Sequence, residues 1–286
     1  MATGGENRLS PSIATGLTKV VASGRTSRGP SPLCDAHLWQ DAVDLIAQST
    51  SVAVISGFYI PSASAPETDG PPGATVLARA LSRMGRRAEI WTDAFCLDCM
   101  RRCADAIVFP TDCVLDATNF DLAANRPELL IYIERLGRAA DGRYYNMRKE
   151  DITDWTAPLD SFAMYSDIPV LAVGDGGNEA GMGAVHGPLS GMMPDYAECL
   201  CVVGANVCLP VDVSNWGAYA LVAALSSLTG TWLGQTSEEE RAMLEALRAC
   251  GAVDGVSKQS ALSVDGLDLE VQLQIRDALE RLAMSL

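Results

Sequence analysis

Val170-Leu171-Ala172-Val173-Gly174-Asp175-Gly176-Gly177-Asn178-Glu179-Ala180-Gly181-Met182-Gly183 is a short apolar run that breaks abruptly into glycine and acid. Four consecutive apolar residues suit a strand buried on both faces, and the glycines after them mark a loop. Comparable apolar runs stand at 52–56, 88–91, 106–109, 129–133 and 199–203, and each is expected to be a strand. Between several of them lie amphipathic helical patterns. One covers 36–48 behind a cap at Asp35, and another covers 73–84 between Pro71-Pro72 and Gly85. Strand and helix in alternation predict an α/β fold: a mostly parallel, Rossmann-like sheet with helices on both faces. The C-terminal part reads as helical. Ser214 caps a helix to about 228, Ser237 with Glu240 forms a capping box, and Leu269, Leu273 and Leu279 mark one side of a last helix.

The chain has 286 residues, of which 48% are hydrophobic and 20% charged, which excludes wholesale disorder and leaves room for a substantial core. No apolar stretch approaches the roughly 20 residues that span a bilayer. The first thirty residues carry a balance of +3, so the remainder holds −18 of the net −15. A body that acidic repels nucleic acid and anionic membranes, so neither is an expected partner. Rich in Gly, Ser, Thr and Arg, residues 1–30 read as a disordered tail, with 31–286 forming a single domain. The expected location is cytoplasmic, or mitochondrial or another organelle if that tail is a transit peptide.

Nine cysteines include the tight group Cys96, Cys99 and Cys103, with only His37 and His186 available beside them. No second pair at zinc-ribbon spacing follows, so these cysteines are expected as reduced, apolar residues of a helix over 94–103.

Four polar segments follow strands, where sites on such sheets lie. Glu67-Thr68-Asp69-Gly70-Pro71-Pro72-Gly73 reads on spacing as a capped turn, with Asp69 serving the helix that begins there. The segment from Glu134 to Lys149 packs five basic residues into fifteen positions beside Tyr144, Tyr145 and Asn146, the look of an anion-binding loop. The glycine loop lacks the Walker lysine and the dinucleotide spacing, and it places Asp175 and Glu179 where a pyrophosphate would sit; no nucleotide is expected. Its carboxylates suit an ammonium group, a general base or an oxygen-liganded cation. Residues 151–240 hold twelve acids and no Lys or Arg, so any positive charge facing them comes from elsewhere. The fourth segment, Asp212 to Tyr219, opens a helix with Asn215 and Trp216.

These segments, in this order, resemble the D-glutamate cyclase family, meaning the C-terminal domain of the eukaryotic enzyme and its stand-alone bacterial relatives. The stretches carrying the resemblance are Glu67 to Gly73, Glu134 to Arg148, Gly174 to Gly183, Ser214 to Tyr219, and the weaker Asp254-Gly255-Val256 and Val264-Asp265-Gly266-Leu267. The resemblance implies a lyase that joins the amine of D-glutamate to its own side-chain carboxylate, giving 5-oxo-D-proline and water. Eukaryotic members join this region to an N-terminal hydro-lyase-like domain, so the resemblance alone does not say which half catalyses.

That chemistry needs a base for the ammonium and cationic donors or a metal for the carboxylate. Asp175, Glu179 and Arg138 are the expected catalytic residues. Glu67, Asp69, Tyr144, Asn146, Arg148, Asn178 and Asn215 are expected to bind substrate, a small acidic amino acid. Magnesium or manganese on Asp175, Glu179 or Glu67 is the cofactor the residues allow. A homo-oligomer stays open. The alternatives are a cyclodehydratase or lactam hydrolase for another amino acid, and a non-catalytic amino-acid-binding protein.

Overall fold

A computed structural model of the chain describes residues 8–26 and 29–285. In chain order its helices are α1 (Pro11–Val21), α2 (His37–Ala47), α3 (Pro71–Arg83), α4 (Leu97–Ala106), α5 (Ser161–Met164), α6 (His186–Met192), α7 (Ser214–Thr229), α8 (Ser237–Ala249) and α9 (Leu269–Ala283). The strands are β1 (Ser51–Ser56), β2 (Tyr59–Ile60), β3 (Ala65–Pro66), β4 (Arg87–Thr92), β5 (Val114–Asp116), β6 (Leu129–Ile133), β7 (Val170–Gly174), β8 (Val207–Pro210), β9 (Ser263–Val264) and β10 (Leu267–Asp268).

Six strands form one sheet in the order β5-β4-β1-β6-β7-β8, with every neighbouring pair parallel. From β1 the chain builds outward to β4 and β5, then returns to build β6, β7 and β8 on the other side. The reversal falls between β1 and β6, and a crevice opens beyond the carboxyl ends of strands at such a point. Alternate strand residues enter two cores. Val52, Val54, Ile90, Ile131 and Val173 pack with the long helices, while Ala53, Ile55, Trp91, Tyr132 and Ala172 pack with Leu159 and Phe162 around α5 on the opposite face. The α/β expectation therefore holds, with helices on both faces in unequal share and a helical C-terminal part. Among the described residues no helix is long and apolar enough to cross a membrane.

Several local expectations are corrected. The supposed tail contains α1, capped by Ser10 and burying Ile13, Ala14, Leu17 and Val21, a spacing that gives one apolar helix face. Behind it, backbone N–H groups of Ser23, Gly24 and Arg25 all donate to the Asp212 carboxylate. Residues 1–7 and 27–28 of the expected tail lie outside the described residues. The run 106–109 is no strand: α4 extends to Ala106, Val108 turns left-handed at φ 59°, and the sheet edge is β5 instead. The run 199–203 bonds to the glycine loop, with Cys201 N–H donating to Gly177 O and Gly181 N–H to Val203 O, and the ladder is completed by β8. Helix α8 is capped one residue earlier than expected, by a Thr236–Glu239 box. Cys99 and Cys250 form a disulfide, with Cα atoms 5.8 Å apart, where only reduced thiols were expected; the other seven cysteines are free.

Candidate active site

A cleft of about 430 Å³ opens at the carboxyl ends of β1, β6 and β7. Its acidic lining is Glu67, Glu134, Asp175 and Glu179, all buried. Arg148 and Lys258 are its cations, and Phe58, Ile60 and Met147 supply apolar wall. Each acid arrives by a short route from the sheet. Glu134 follows β6 directly, Asp175 follows β7, and Glu67 follows the small hairpin of β2 and β3.

Glu179 folds back into its own loop. Its Oε1 accepts from the N–H groups of Asp175 (3.1 Å) and Gly176 (2.7 Å), and its Oε2 accepts from Gly177 N–H (2.7 Å). Such a nest of amides commonly holds a bound anion; here the chain's own carboxylate fills it. The glycines are required by this geometry. Gly177 has φ +101°, and a Cβ there would stand 2.5 Å from Leu189 Cδ2. Glu179, expected with Asp175 at the amine end, one as base and the other as ammonium anchor or metal ligand, thus also shapes the loop through its own backbone.

Asp69 and Asn215 are likewise occupied. Asp69 Oδ2 accepts from Ser214 N–H (2.9 Å) and its Oδ1 from Asn215 N–H (2.8 Å), so it caps α7 rather than α3. Asn215 Oδ1 in turn accepts from the N–H groups of Gly70 (3.0 Å) and Gly73 (2.8 Å), capping α3. Asn215 does not line the cleft. Ser214, expected as the cap of α7, instead donates from Oγ to Glu134 Oε2 at 2.7 Å.

Arg138 and Tyr144 stand apart from the cleft. Asp160, which has no exposed surface, takes Arg138 bidentately through Nε and Nη2 (2.9 Å each) and accepts from the Tyr144 hydroxyl at 2.5 Å. Asp160 holds the Arg138 guanidinium more firmly protonated than usual, chiefly through its hydrogen bonds. Burial, then the neighbouring Asp160 charge, pushes the Tyr144 phenol upward. These three side chains form a structural cluster in which Arg138 keeps a partly exposed side chain. The cationic strip therefore divides: Arg138 braces the loop and Arg148 faces the acids.

Asn146 and Asn178 do line the cleft, while shaping it through the backbone. Asn146 Oδ1 accepts from Arg148 N–H and Glu150 N–H, and Asn178 Nδ2 donates to Tyr145 O. Among the described residues, the Arg148 guanidinium has no carboxylate within ion-pair distance. Arg148 is exposed at the edge of the cleft.

Two participants are absent from the sequence-based expectations. Glu134 sits at φ 46°, a left-handed backbone that a non-glycine residue adopts at a cost. Burial first, then repulsion from Glu179, Asp69, Glu67 and Asp265, pushes its carboxyl well above the usual range. Lys258 comes from the segment after α8, whose Asp254 collects the N–H groups of Val256, Ser257 and Gly266. The Asp254-Gly255-Val256 stretch that carries part of the family resemblance opens that segment, and the lysine falls just beyond it.

Carboxylate oxygens of Glu134, Asp175 and Glu179 lie within 4.8 Å of one another, as do those of Asp69, Asp175 and Asp265. These hard donors suit magnesium or manganese better than zinc. Acids alone do not assign an ion.

A family model described as D-glutamate cyclase-like, C-terminal, matches residues 17–280. The human protein D-glutamate cyclase, mitochondrial, is 34% identical over 217 residues, which covers 68% of this chain and 35% of that protein. The chain therefore corresponds to about a third of the length of that curated relative. A solved exopolyphosphatase-related protein from Bacteroides fragilis superposes with a TM-score of 0.43 at 8% identity, over 89% of this chain and 62% of its own.

Proposed function

The chain belongs to the D-glutamate cyclase-like, C-terminal family, and from that membership we propose that its cleft closes an acidic amino acid, D-glutamate, into its five-membered lactam. The observation that carries this reading is the convergence of two buried carboxyl groups, Glu134 and Asp175, in one cleft. The Glu134 carboxyl is held well above the usual range, and Asp175, from the glycine loop, approaches it to within 4.8 Å, with Arg148 on the same cleft. A carboxyl that keeps its proton more readily than usual suits the part of acid beside a carboxylate that serves as base.

Asp175 takes a proton from the substrate ammonium, freeing the nitrogen lone pair. Glu134 protonates the side-chain carboxylate while Arg148 draws off its remaining charge. The nitrogen–carbon bond forms, and Glu134 then carries the second nitrogen proton to the departing hydroxyl as the carbon–oxygen bond breaks. Water leaves. A proton passing from Asp175 to Glu134 restores both groups, so substrate and product carry the same net charge. The reaction is intramolecular, so orientation in the cleft contributes much of the acceleration and no activating nucleotide is needed.

Incubation of the purified protein with D- and L-glutamate, with and without manganese, followed by chiral detection of 5-oxoproline, tests the proposal. Formation of 5-oxo-D-proline that disappears in Asp175→Asn and Glu134→Gln supports it. Absence of lactam under every condition, with D-glutamate still raising the unfolding temperature, favours a binding protein.

A further inference from the structure

The one disulfide stands at the entry to a wall of the cleft. Cys250 ends α8, three residues ahead of Val253, whose N–H donates to Pro66 O (2.9 Å) and whose carbonyl accepts from Thr68 N–H (3.0 Å), which sets it beside Glu67. The same segment goes on to Gly255 and Lys258, both on the cleft, and is held again where Thr68 Oγ1 donates to Ser263 O (2.8 Å). Its bonded partner, Cys99, lies in the first turn of α4. At the N-terminus of that helix Cys96 packs on Gly57, where a Cβ would stand 2.9 Å from the Cys96 Cβ, and the next residue, Phe58, also lines the cleft. From this placement we infer that the Cys99–Cys250 bond is a redox switch on the cleft: a dithiol reductant opens it and loosens the wall formed by residues 251–266, and reoxidation restores it. The inference goes beyond the lactam-forming reading, which supplies only a probe for it.

The surroundings of the two sulfurs give the exchange a direction. Cys250 is half-buried and Cys99 only 4% exposed, so an incoming thiolate meets the sulfur of Cys250 first. Cys99 is then the leaving group, at a helix N-terminus whose free amides favour a thiolate. Cys250 Sγ faces a carbonyl instead, Leu247 O at 3.1 Å. The reductant's second thiol attacks the mixed disulfide on Cys250 and completes the exchange. The Cys99–Cys250 bond breaks, the two thiols of the reductant become its disulfide, and their two hydrogens pass to Cys99 and Cys250. Other thiols stay out of this exchange. Burial pushes the Cys96 thiol well up and that of Cys103 to about 12, and six of the seven free cysteines are buried.

Opening the bond takes away the fixed origin of the segment. Gly251, left-handed at φ 89°, follows Cys250 directly and gives the chain a pivot there. What then holds the wall at the Glu67 edge is the three hydrogen bonds named above and the packing of Val253. Segments secured by so few bonds are the first to open. Gly255 sits against Glu67, where a Cβ would stand 2.8 Å from Oε2, so movement of the segment changes the space beside that carboxylate.

The test compares air-oxidised protein, protein reduced with dithiothreitol, reoxidised protein and the double variant Cys99→Ala/Cys250→Ala. Peptide mapping is expected to find the Cys99–Cys250 linkage in the oxidised form. Amide hydrogen exchange over 251–266 and at Thr68 is expected to quicken at least about tenfold on reduction while β1 and β6 keep their rates. The KM for D-glutamate is expected to rise at least about threefold with it. Reoxidation should return both values, and the double variant should behave as the reduced protein under either condition. Absence of the linkage overturns the inference, as do equal exchange in the two forms and a redox response that persists in the double variant. A uniform rise that includes β1 and β6 also overturns it, because the bond would then be a staple of the whole fold. So does faster exchange at unchanged KM in a protein that forms lactam. If no lactam forms under any condition, the reaction reading fails and exchange alone decides the switch.

Discussion

Asp69 and Asn215 cap each other's helices. Asp69, just before α3, accepts from the first amides of α7, and Asn215, in the first turn of α7, accepts from the first amides of α3. Two helix N-termini are thereby locked together beneath the acidic floor. Their positive dipole ends also favour negative charge there. Asn215→Ala leaves the buried Gly73 amide without its acceptor, while Gly70 N–H keeps Asp69 Oδ1, and should cost about 1–3 kcal/mol of stability. Urea unfolding measures that loss. A substrate-positioning role would instead raise KM at unchanged stability.

Arg138→Met strands the fully buried Asp160 carboxylate, and breaking a buried pair in this way typically costs about 3–5 kcal/mol. The double variant Arg138→Met/Asp160→Asn should regain part of that stability together with lactam-forming activity. A folded double variant with no activity at all would return Arg138 to the chemistry.

Glu134 links stability and activity to pH. Its carboxyl is raised in the folded chain, so folding takes up a proton wherever the unfolded group is ionised. The stabilisation is complete below the ordinary carboxylate value of 4.5 and is lost as pH climbs from there through the raised folded value. Urea midpoints of the wild type should therefore fall with rising pH more steeply than those of Glu134→Gln, which cannot ionise. Turnover should fall over the same rise. Parallel stability profiles for the two proteins would show that Glu134 is ionised in the native state.

Thr236→Ala should destabilise by about 1 kcal/mol through loss of the capping box that holds α8, and Ser237→Ala should stay within about 0.5 kcal/mol of the wild type. Thermal unfolding of the two single variants suffices. The reverse ranking would place the cap where sequence spacing first suggests it.

The contrast between these two neighbours shows what the chain discloses locally. Both Ser237–Glu240 and Thr236–Glu239 satisfy the same spacing rule, and Arg79 selects the second by binding Glu239 through Nη1 and Nη2. The central strands β1, β6 and β7 are legible because continuous apolar runs reach the sheet interior. The outer strands are not legible in this way, because 106–109 and 199–203 are equally apolar while spending their backbone bonds on α4 and the glycine loop. In the site, Asp175, Glu67 and Arg148, each within a motif read from the sequence, line one cleft. Arg138, Asn215 and Glu179 look identical in sequence to ligand-binding groups, and only their buried partners reveal them as internal braces. Lys258 could not be found by spacing, because its relation to Glu134 is created by the return of a segment more than a hundred residues later.

The nest formed by the amides of Asp175, Gly176 and Gly177 has a tenant that cannot diffuse away. Because Glu179 is tethered a few bonds from its hosts, it competes at an effective concentration of order millimolar or above. A visiting phosphate must evict it before it can settle. The loop has the outline of a nucleotide cradle and the behaviour of a lock with its key moulded in.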